Sequence, residues 1–304
     1  MNKKILITGG TGFIGYHLAK KCAELGWSVT SISTKSPPGI RKLKTIKYLI
    51  CNVNSKKLIR KKINLNYDYV VNFAGYVDHS DKKKTYRSHF IGCKNLALHF
   101  KNSKIKKFIQ IGSSIEYGKK KSPQIESKSN RQKMYSTYGK AKLLSTKFLL
   151  NLHKNYNFPA TILRLYLVYG THQDMNRVIP ITIINSLKNE MFACSNGEQF
   201  RDFLNVSDAV NAIIKILKNN HTEGEIYNLG SGKPIKVKTI INKICKQTGG
   251  GKPLFGKIKP RKDEIKKLYP SIKKISQTIN WKPKINIEKG LKKTIAFYKK
   301  ELQK

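Results

Sequence analysis

A tyrosine and a lysine four residues apart, Tyr138 and Lys142, are side chains that together can move a proton. They lie at the start of a stretch with helical character, and positions i and i+4 of a helix share one face. A phenol titrates near ~10 in water, and a neighbouring ammonium favours the phenolate, which brings proton transfer toward neutral pH. Because lysine is abundant in this chain, the spacing alone is weak evidence, and the other motifs decide its meaning.

Three glycines at a spacing of three, Gly9, Gly12 and Gly15, follow the apolar run at residues 5–7 and open an amphipathic stretch. Glycine permits a tight turn and lets backbone N–H groups approach a pyrophosphate at the start of a helix. The order of strand, glycine turn and helix therefore predicts a dinucleotide-binding site.

The residues after the second predicted strand indicate which dinucleotide binds. An NAD site usually places an acidic residue there for the ribose hydroxyls. This chain has Ser33, Thr34 and Lys35 at that point, Arg41 a little further on, and no acidic residue before Asp68. Hydroxyls and cations suit a 2′-phosphate, so NADP(H) is favoured and NAD(H) remains the alternative.

Ser113 ends the fifth predicted strand in a segment that reads Ile111-Gly112-Ser113-Ser114-Ile115-Glu116-Tyr117-Gly118. A serine at the carboxyl end of a strand can hydrogen-bond a substrate carbonyl and stabilise charge that develops on its oxygen. A serine-rich turn without a chemical role is the alternative interpretation.

The formal net charge of +44 invites a nucleic-acid interpretation. Only eight of the 61 basic residues are arginine, however, and arginine is preferred for contacts with base edges and phosphates. The lysines are also spread along the chain, as a biased genome composition would produce. We therefore expect no nucleic-acid partner, although a non-catalytic RNA-binding protein with a dinucleotide fold remains a third hypothesis.

The cysteines and the hydropathy of the chain indicate the cellular compartment in which we expect the protein. The five cysteines are scattered without a C-x-x-C pair, which predicts neither disulfides nor a metal site and fits a reducing cytoplasm. No run of eighteen apolar residues occurs, so no membrane partner is expected.

Short apolar runs alternate with helical patterns in the first half of the chain. Strands are predicted at residues 5–7, 29–33, 48–53, 69–74, 108–112 and 160–165, and helices at 89–100, 136–155, 180–190, 206–218, 238–248 and from 287 onward. This alternation predicts an α/β fold, a Rossmann-type doubly wound parallel sheet with a smaller mixed C-terminal lobe. We expect residues 1–167, joined by about 203–222, to form the NADP-binding domain, and residues 168–304 to form mainly the substrate-binding lobe, with 249–284 rich in loops.

Several motifs in order resemble one family over nearly the whole chain. They are the glycine turn, Asn72-Phe73-Ala74-Gly75, Ser113-Ser114-Ile115-Glu116-Tyr117-Gly118, Tyr138-x-x-x-Lys142, Arg164-Leu165-Tyr166-Leu167-Val168-Tyr169-Gly170, Arg201-Asp202-Phe203, Tyr227-Asn228-Leu229-Gly230-Ser231-Gly232 and Trp281-Lys282-Pro283. Together they resemble the extended short-chain dehydrogenase/reductase family, in its nucleotide-sugar epimerase, dehydratase and reductase branch.

The resemblance implies roles for individual residues. Tyr138 would be the acid/base, Lys142 would lower its pKa and contact the nicotinamide ribose, and Ser113, with Ser114 as its close competitor, would be the catalytic serine. The cofactor would contact Gly9, Thr11, Gly12, Phe13, Ile14, Gly15, Ser33, Thr34, Lys35, Arg41, Asn52, Ala74, Tyr138 and Lys142. A nucleotide-diphosphate sugar would contact Ser114, Tyr117, Arg201 and Arg261, and the chain would form a homodimer through residues 89–100 and 136–152.

Departures from the family pattern narrow the reaction. Family dehydratases place Asp-Glu directly after the catalytic threonine, whereas Ser114 and Ile115 stand there and Glu116 comes one position late. A cysteine typical of GDP-fucose synthase-like enzymes is replaced by Ile115, and His89 stands where asparagine is usual. We expect an NADPH-dependent 4-ketoreductase of nucleotide-diphosphate-4-keto-6-deoxyhexoses in deoxysugar biosynthesis, with an NAD-dependent 4-epimerase as the alternative.

Overall fold

A computed structural model describes residues 2–127, 134, 136–259 and 264–303. Its strands are β1 (Lys4–Thr8), β2 (Ser28–Ser33), β3 (Lys47–Ile50), β4 (Tyr69–Asn72), β5 (Lys107–Ser113), β6 (Ala160–Leu165), β7 (Leu167–Tyr169), β8 (Met191–Ala193), β9 (Phe200–Asn205), β10 (Glu225–Leu229), β11 (Pro234–Lys236), β12 (Lys252–Leu254) and β13 (Lys267–Leu268). Its helices are α1 (Phe13–Glu24), α2 (Lys56–Lys62), α3 (Lys82–Tyr86), α4 (Gly92–Phe100), α5 (Thr137–Tyr156), α6 (Val178–Leu187), α7 (Val206–Leu217), α8 (Val237–Thr248), α9 (Lys273–Ile279) and α10 (Ile287–Leu302).

Seven parallel strands form the central sheet in the order β10-β6-β5-β4-β1-β2-β3. The centres of β1 and β4 are apolar, and Ile5, Leu6 and Ile7 of β1 are fully buried. Such runs are expected where helices cover both faces of a parallel sheet. The predicted Rossmann-type α/β fold is confirmed.

Two apolar clusters cover the two faces of this sheet. On one face, α1 and α7 pack on the sheet through residues such as Leu18 and Ile213. On the other face, α4 and α5 pack through Leu96 and Leu149. A π-helical segment, Arg87–Ile91, connects α3 to α4. In folds of this kind, ligands bind outside the carboxyl ends of the parallel strands.

A smaller lobe is built around β9, which pairs with β7, β11 and β13, and around the two-stranded pair β8–β12. Its core joins α6, α8 and α10 through Ile183, Ile240 and Leu291. No helix in the described part of the chain combines the length and the apolar character that a membrane crossing requires.

Two features of the C-terminal half differ from the sequence prediction. The segment 225–229 is β10, an edge strand of the central sheet, whereas the sequence indicates only a motif at 227–232. The loop-rich stretch 249–284 also contains β12, β13 and α9. These elements are short, and their pairing partners are distant in sequence, so local periodicity gives little signal for them. The proposed division into domains stays a prediction.

Candidate active site

The glycine turn joins β1 to α1 with little spare space. Gly9 has a φ of +70°, and its carbonyl accepts a hydrogen bond from the Gly12 N–H at 3.0 Å. A methyl group in place of a Gly15 hydrogen would lie 2.3 Å from the Gly9 carbonyl oxygen. The first turn of the helix therefore lies directly against the backbone of the turn, as a pyrophosphate-binding turn requires. Thr11, Phe13 and Ile14 lie in this turn and at the start of α1, each partly exposed.

The predicted cofactor-selecting residues lie just beyond the end of β2. The Ser33 hydroxyl donates to the Lys35 carbonyl at 2.8 Å, and Thr34 and Lys35 are exposed. Arg41 turns away toward the loop after β7, where its Nε donates to the His172 carbonyl at 2.9 Å and its Nη2 pairs with Asp174 at 2.6 Å. Lys35 is thus more available than Arg41 for a phosphate group.

A buried polar chain connects the glycine turn to Lys142. The Thr8 hydroxyl donates to Asn72 Oδ1, and Asn72 Nδ2 donates to Gln110 Oε1 at 2.7 Å. Gln110 Nε2 then donates to the Ile111 carbonyl at 3.0 Å, and Lys142 Nζ donates to the same oxygen at 2.6 Å. The chain crosses β1, β4 and β5 and holds the lysine in place. The roles of Thr8 and Gln110 in this chain cannot be predicted from the sequence, because the apolar pattern shows only that both residues lie within strands.

Asn52 and Ala74, both predicted to contact the cofactor, follow β3 and β4, which lie on opposite sides of β1 and β2 in the sheet. Asn52 Oδ1 accepts from the Asn54 N–H at 3.0 Å, and the Ala74 N–H donates to Asn72 Oδ1 at 3.1 Å. Both residues lie beyond the carboxyl ends of β3 and β4, which is the side of the sheet that the glycine turn occupies.

Tyr138 and Lys142 lie one turn apart at the start of α5. The helix is capped by Ser136, whose hydroxyl accepts from the Gly139 N–H at 3.0 Å. Lys142 is buried, with Nζ 5.8 Å from the centre of the Tyr138 ring, whereas Tyr138 is partly exposed. The arrangement places an ammonium beside a phenol that remains accessible to a ligand.

Ser113 ends β5 close to the first turn of α5. A methyl group on Gly139 would lie 3.4 Å from Ile115 Cγ1, so the residues that follow Ser113 pack against the residue that follows Tyr138. Ser113 is partly exposed and Ser114 is buried. This exposure favours Ser113 over Ser114 for contact with a substrate.

Glu116 faces the protein interior. Its Oε1 accepts from the Ser113 N–H at 2.8 Å, while its Oε2 accepts from the Thr146 hydroxyl at 2.7 Å and from Arg164 Nε at 3.0 Å. Glu116 and Arg164 are both fully buried. This carboxylate is therefore a structural partner of Arg164 and Ser113, and it is not available to act on a substrate.

Two histidines flank the Tyr138 ring. His79 stacks on it with ring centres 4.1 Å apart, and His89 meets it edge to face at 4.9 Å. His89 Nε2 donates to the Tyr76 carbonyl at 3.1 Å. Burial, assisted by Lys142, lowers the pKa of His89 to about 3, so the ring is neutral at pH 7. The sequence marked His89 only as a departure from the family pattern, and no motif marked His79.

The predicted substrate-binding residues have mixed positions. Tyr117 is buried and its hydroxyl donates to Asn228 Oδ1 at 2.7 Å, and its contact with a substrate stays a prediction. Arg201 donates to the Ile265 carbonyl at 2.8 Å and forms an ion pair with Glu264. Arg261 lies outside the described residues. Within the described part of the chain, no group of three or more His, Cys, Asp or Glu residues could hold a metal ion.

A comparison with protein-family models decides what this geometry belongs to. The model described as the NAD dependent epimerase/dehydratase family matches residues 5–230, about three quarters of the chain. The chain belongs to this family. The family predicted from the motifs is confirmed, and the protein is an enzyme of the NAD-dependent nucleotide-sugar epimerase/dehydratase family.

Individual relatives and a solved structure extend the similarity over the full length. A putative UDP-glucose 4-epimerase of Methanocaldococcus jannaschii is 27% identical over 97% of this chain and 98% of its own length. The CDP-abequose synthase of Salmonella muenchen is 29% identical, with 98% of each chain covered. The crystal structure of the UDP-glucose 4-epimerase of Thermotoga maritima with UDP-glucose superposes with a TM-score of 0.91, 25% identity and coverage of 98% and 99%.

Proposed function

We propose that the protein reduces the 4-keto group of a nucleotide-diphosphate-4-keto-6-deoxyhexose, with NADPH as the hydride donor. The observation that carries this proposal is the combination of Tyr138, Lys142 and Ser113 at one site. The nearby Glu116 carboxylate is buried and hydrogen-bonded to protein groups. A phenol beside an ammonium supports proton transfer to a carbonyl oxygen. Ser114 and Ile115 occupy the positions of the Asp-Glu pair that dehydratases use to eliminate water, and the nearby Glu116 carboxylate is bound to Arg164 in the interior.

Each residue has a defined task in this reaction. The bound nicotinamide supplies the hydride. Tyr138 donates the proton to the developing alkoxide, and Ser113 hydrogen-bonds the same oxygen. Lys142, held at 2.6 Å from the Ile111 carbonyl, keeps a positive charge beside the phenol. His89 of the π-helical segment and His79 of the loop before α3 contact the ring of Tyr138, and Lys142 Nζ lies 5.8 Å from the centre of that ring.

The cofactor preference rests on Ser33, Thr34 and Lys35. Two exposed residues that carry a hydroxyl and an ammonium suit a 2′-phosphate, and no acidic residue is present in that turn for a ribose diol. Arg41 supports this choice less than its sequence position suggested, because Asp174 already balances its charge. The name of the matching family favours NAD(H), which remains the alternative cofactor.

The substrate class follows from the relatives and from the arginines. Relatives named for CDP-abequose and UDP-glucose support a nucleotide-diphosphate sugar. Arg201 and Arg261 would hold the diphosphate, since guanidinium groups bind phosphate oxygens through paired N–H donors. Arg201 would then exchange Glu264 for the ligand, or share the two.

The test is a panel of nucleotide-diphosphate-4-keto-6-deoxysugars mixed with the protein and NADPH, followed by the loss of absorbance of the reduced nicotinamide. We expect stoichiometric NADPH consumption with at least one ketosugar and a 4-hydroxy product. No consumption with any ketosugar, with either NADPH or NADH, would contradict the reductase assignment.

The alternative function is 4-epimerisation with the same residues. It is favoured by the relatives that are named 4-epimerases. An epimerase retains its cofactor through oxidation and re-reduction, so the purified protein would carry bound NAD and convert a nucleotide sugar without added cofactor. That result would replace the first proposal.

Two further features stay proposals. The helices α4 and α5 would form the dimer interface, and sedimentation at several concentrations tests this. The five cysteines are all free and four are buried, which supports a reducing cytoplasmic location.

A further inference from the structure

One cavity is lined by none of the residues assigned to catalysis, cofactor or substrate. It has a volume of about 590 Å³ and lies between α1, α7, α10 and the loop that follows β7. Small-molecule sites commonly enclose about 300–1,000 Å³. The cavity is therefore large enough for a nucleotide-sized ligand.

The position of the cavity resembles that of a ligand site in an α/β fold. Strands β7 and β9 are parallel neighbours, and both end at the cavity, where Gly170 and Asn205 lie in its wall. Ligands in such folds bind outside the carboxyl ends of parallel strands. A methyl group on Gly170 would lie 2.6 Å from Val206 Cγ1, so the loop and the start of α7 pack directly together.

The charge of the cavity is positive. Lys20 on α1 and Lys293 on α10 line it from two sides. Among the described residues, neither has a carboxylate within 4 Å, whereas the neighbouring Lys21 pairs with Glu24. Two unpaired ammonium groups facing one cavity attract an anion.

Aromatic side chains also line the cavity, and we call His172 and Phe297 the His172–Phe297 wall. The rings of His172 and Phe297 lie 4.4 Å apart, and His17 meets His172 edge to face at 5.5 Å. His172 has a φ of +62°, which is uncommon for a residue other than glycine, and its buried Nδ1 has no hydrogen-bond partner among the residues that the structure describes. Val210 adds an apolar contact surface. Flat rings suit a ligand that itself carries a ring.

We propose that this cavity is a binding site for a nucleotide-sized organic phosphate. Lys20 and Lys293 would bind the phosphate, and the His172–Phe297 wall would contact the ring of the ligand. The site is separate from the Tyr138 cleft, and the proposal does not depend on which sugar or cofactor the enzyme uses.

The two histidines supply a signal for binding. Burial lowers the pKa of His17, and Lys20, Arg41 and Lys293 lower it further, against an opposing hydrogen bond to the Thr171 carbonyl. Burial, His17, Lys20 and Arg41 lower the pKa of His172 to about 4, with Glu301 opposing. The other charged groups around them are Glu24, paired with Lys21, and Asp174, paired with Arg41. A bound anion would stabilise both imidazolium forms and raise both pKa values.

The experiment follows the histidine ring protons by NMR in the full-length protein, in which His17 and His172 report on the cavity and His79 and His89 report on the surroundings of Tyr138. AMP, adenosine and inorganic sulfate are then titrated separately. We expect AMP to shift His17 and His172 saturably, to raise their titration midpoints and to bind about tenfold more tightly than adenosine or sulfate. The ring signals of His221, which is exposed and does not line the cavity, should not move.

Three outcomes overturn the proposal: no shift at His17 and His172, an equal shift at His221, or binding of sulfate as tight as that of AMP. These outcomes are independent of catalysis, because both reporting histidines lie outside the Tyr138 cleft.

Matched variants separate the cavity from bulk charge. The double variant Lys20→Gln/Lys293→Gln should weaken AMP binding about tenfold. The control Lys292→Gln/Lys299→Gln removes the same charge, partly from the same helix, but outside the cavity. Equal weakening in both variants would show attraction to the overall positive charge and would contradict a built site. All four lysines are exposed, so neither variant is expected to impair folding.

Discussion

The surroundings of Tyr138 differ on its two sides. Lys142 supplies a positive charge, whereas His89 is neutral at pH 7 because burial holds its pKa at about 3. His79 covers part of the ring face and is itself exposed, so a ligand that reaches the phenol must contact or displace it. Tyr138 is thus fixed in place and remains reachable.

Removal of the phenolic hydroxyl tests the acid/base role. Tyr138→Phe should reduce kcat by about 10²–10⁴, because that is the range that general acid–base catalysis contributes. Cofactor binding, measured by fluorescence of the reduced nicotinamide, should change little. Tyr156→Phe, an exposed tyrosine at the far end of the same helix, is the control. Full activity in Tyr138→Phe would dismiss the assignment.

Lys35 tests the cofactor assignment. Lys35→Asp places a carboxylate where a ribose diol would be bound and a 2′-phosphate would be repelled. We expect the ratio of kcat/KM for NADPH to that for NADH to fall about tenfold or more. Lys44→Asp makes the same charge change in the same loop and should leave the ratio unaltered. An unchanged ratio in Lys35→Asp would show that a residue other than Lys35 determines the cofactor preference.

Single residues also show what the sequence can and cannot reveal. The spacing of Tyr138 and Lys142 follows from helix geometry, so their shared face was predictable. The burial of Tyr117 was not, because its partner Asn228 lies 111 residues away in sequence. The same reason hid His79, whose contact with Tyr138 depends on where two separate segments meet.

At the scale of elements, β5, α5 and β6 are joined by one buried ion pair. Glu116 follows β5, Arg164 lies on β6, and Thr146 reaches the same carboxylate from α5. The pair fixes the turn that presents Ser113, since the Ser113 N–H donates to Glu116. The ion pair therefore fixes the backbone at Ser113 and neutralises the buried charge of Glu116.

Breaking this pair should be costly. Arg164→Met leaves the Glu116 charge buried without its cation and should lower the free energy of unfolding by about 3–5 kcal/mol. Denaturant unfolding measures the change. The double variant Glu116→Gln/Arg164→Met should recover part of the loss, because no uncompensated charge remains. Arg60→Met on the exposed side of α2 is the control. A loss no larger than that of the control would contradict the structural role.

At the scale of the whole molecule, buried histidines couple stability to pH. The folded-state pKa of His89 is about 3 and that of His172 about 4, both below the ordinary value of about 6.5. The unfolded chain therefore binds more protons than the folded one below about pH 6.5, and stability falls as pH falls through that window.

This dependence can be measured and assigned. From about pH 6.5 to pH 5, His89 alone should cost about 2 kcal/mol of unfolding free energy. Urea unfolding at several pH values should show that decline, and His89→Asn should flatten it. His221→Asn, at an exposed site, should keep the wild-type slope. An identical slope in His89→Asn would show that other groups cause the decline.

The sequence predicts a strand or helix well where its apolar pattern is local. It predicts less well the strands that pair with a segment far away in the sequence. The limits predicted for strand β6, 160–165, are those observed, because this mostly apolar run directly follows a long helical pattern. Strand β10 carries an equally buried sequence, but it pairs with β6 only after the chain has formed β7, β9 and α7. Periodicity cannot indicate such a return.

The late return of β10 also has a consequence for biosynthesis. Until residue 229 has left the ribosome, β6 is an outer strand with unpaired N–H and C=O groups, and it is wholly apolar apart from Thr161 and Arg164. An unprotected apolar edge is a template for pairing with another chain. Nascent chains in which β6 has left the ribosome and β10 has not would therefore be the aggregation-prone species, and the vulnerable interval ends when β10 pairs with β6.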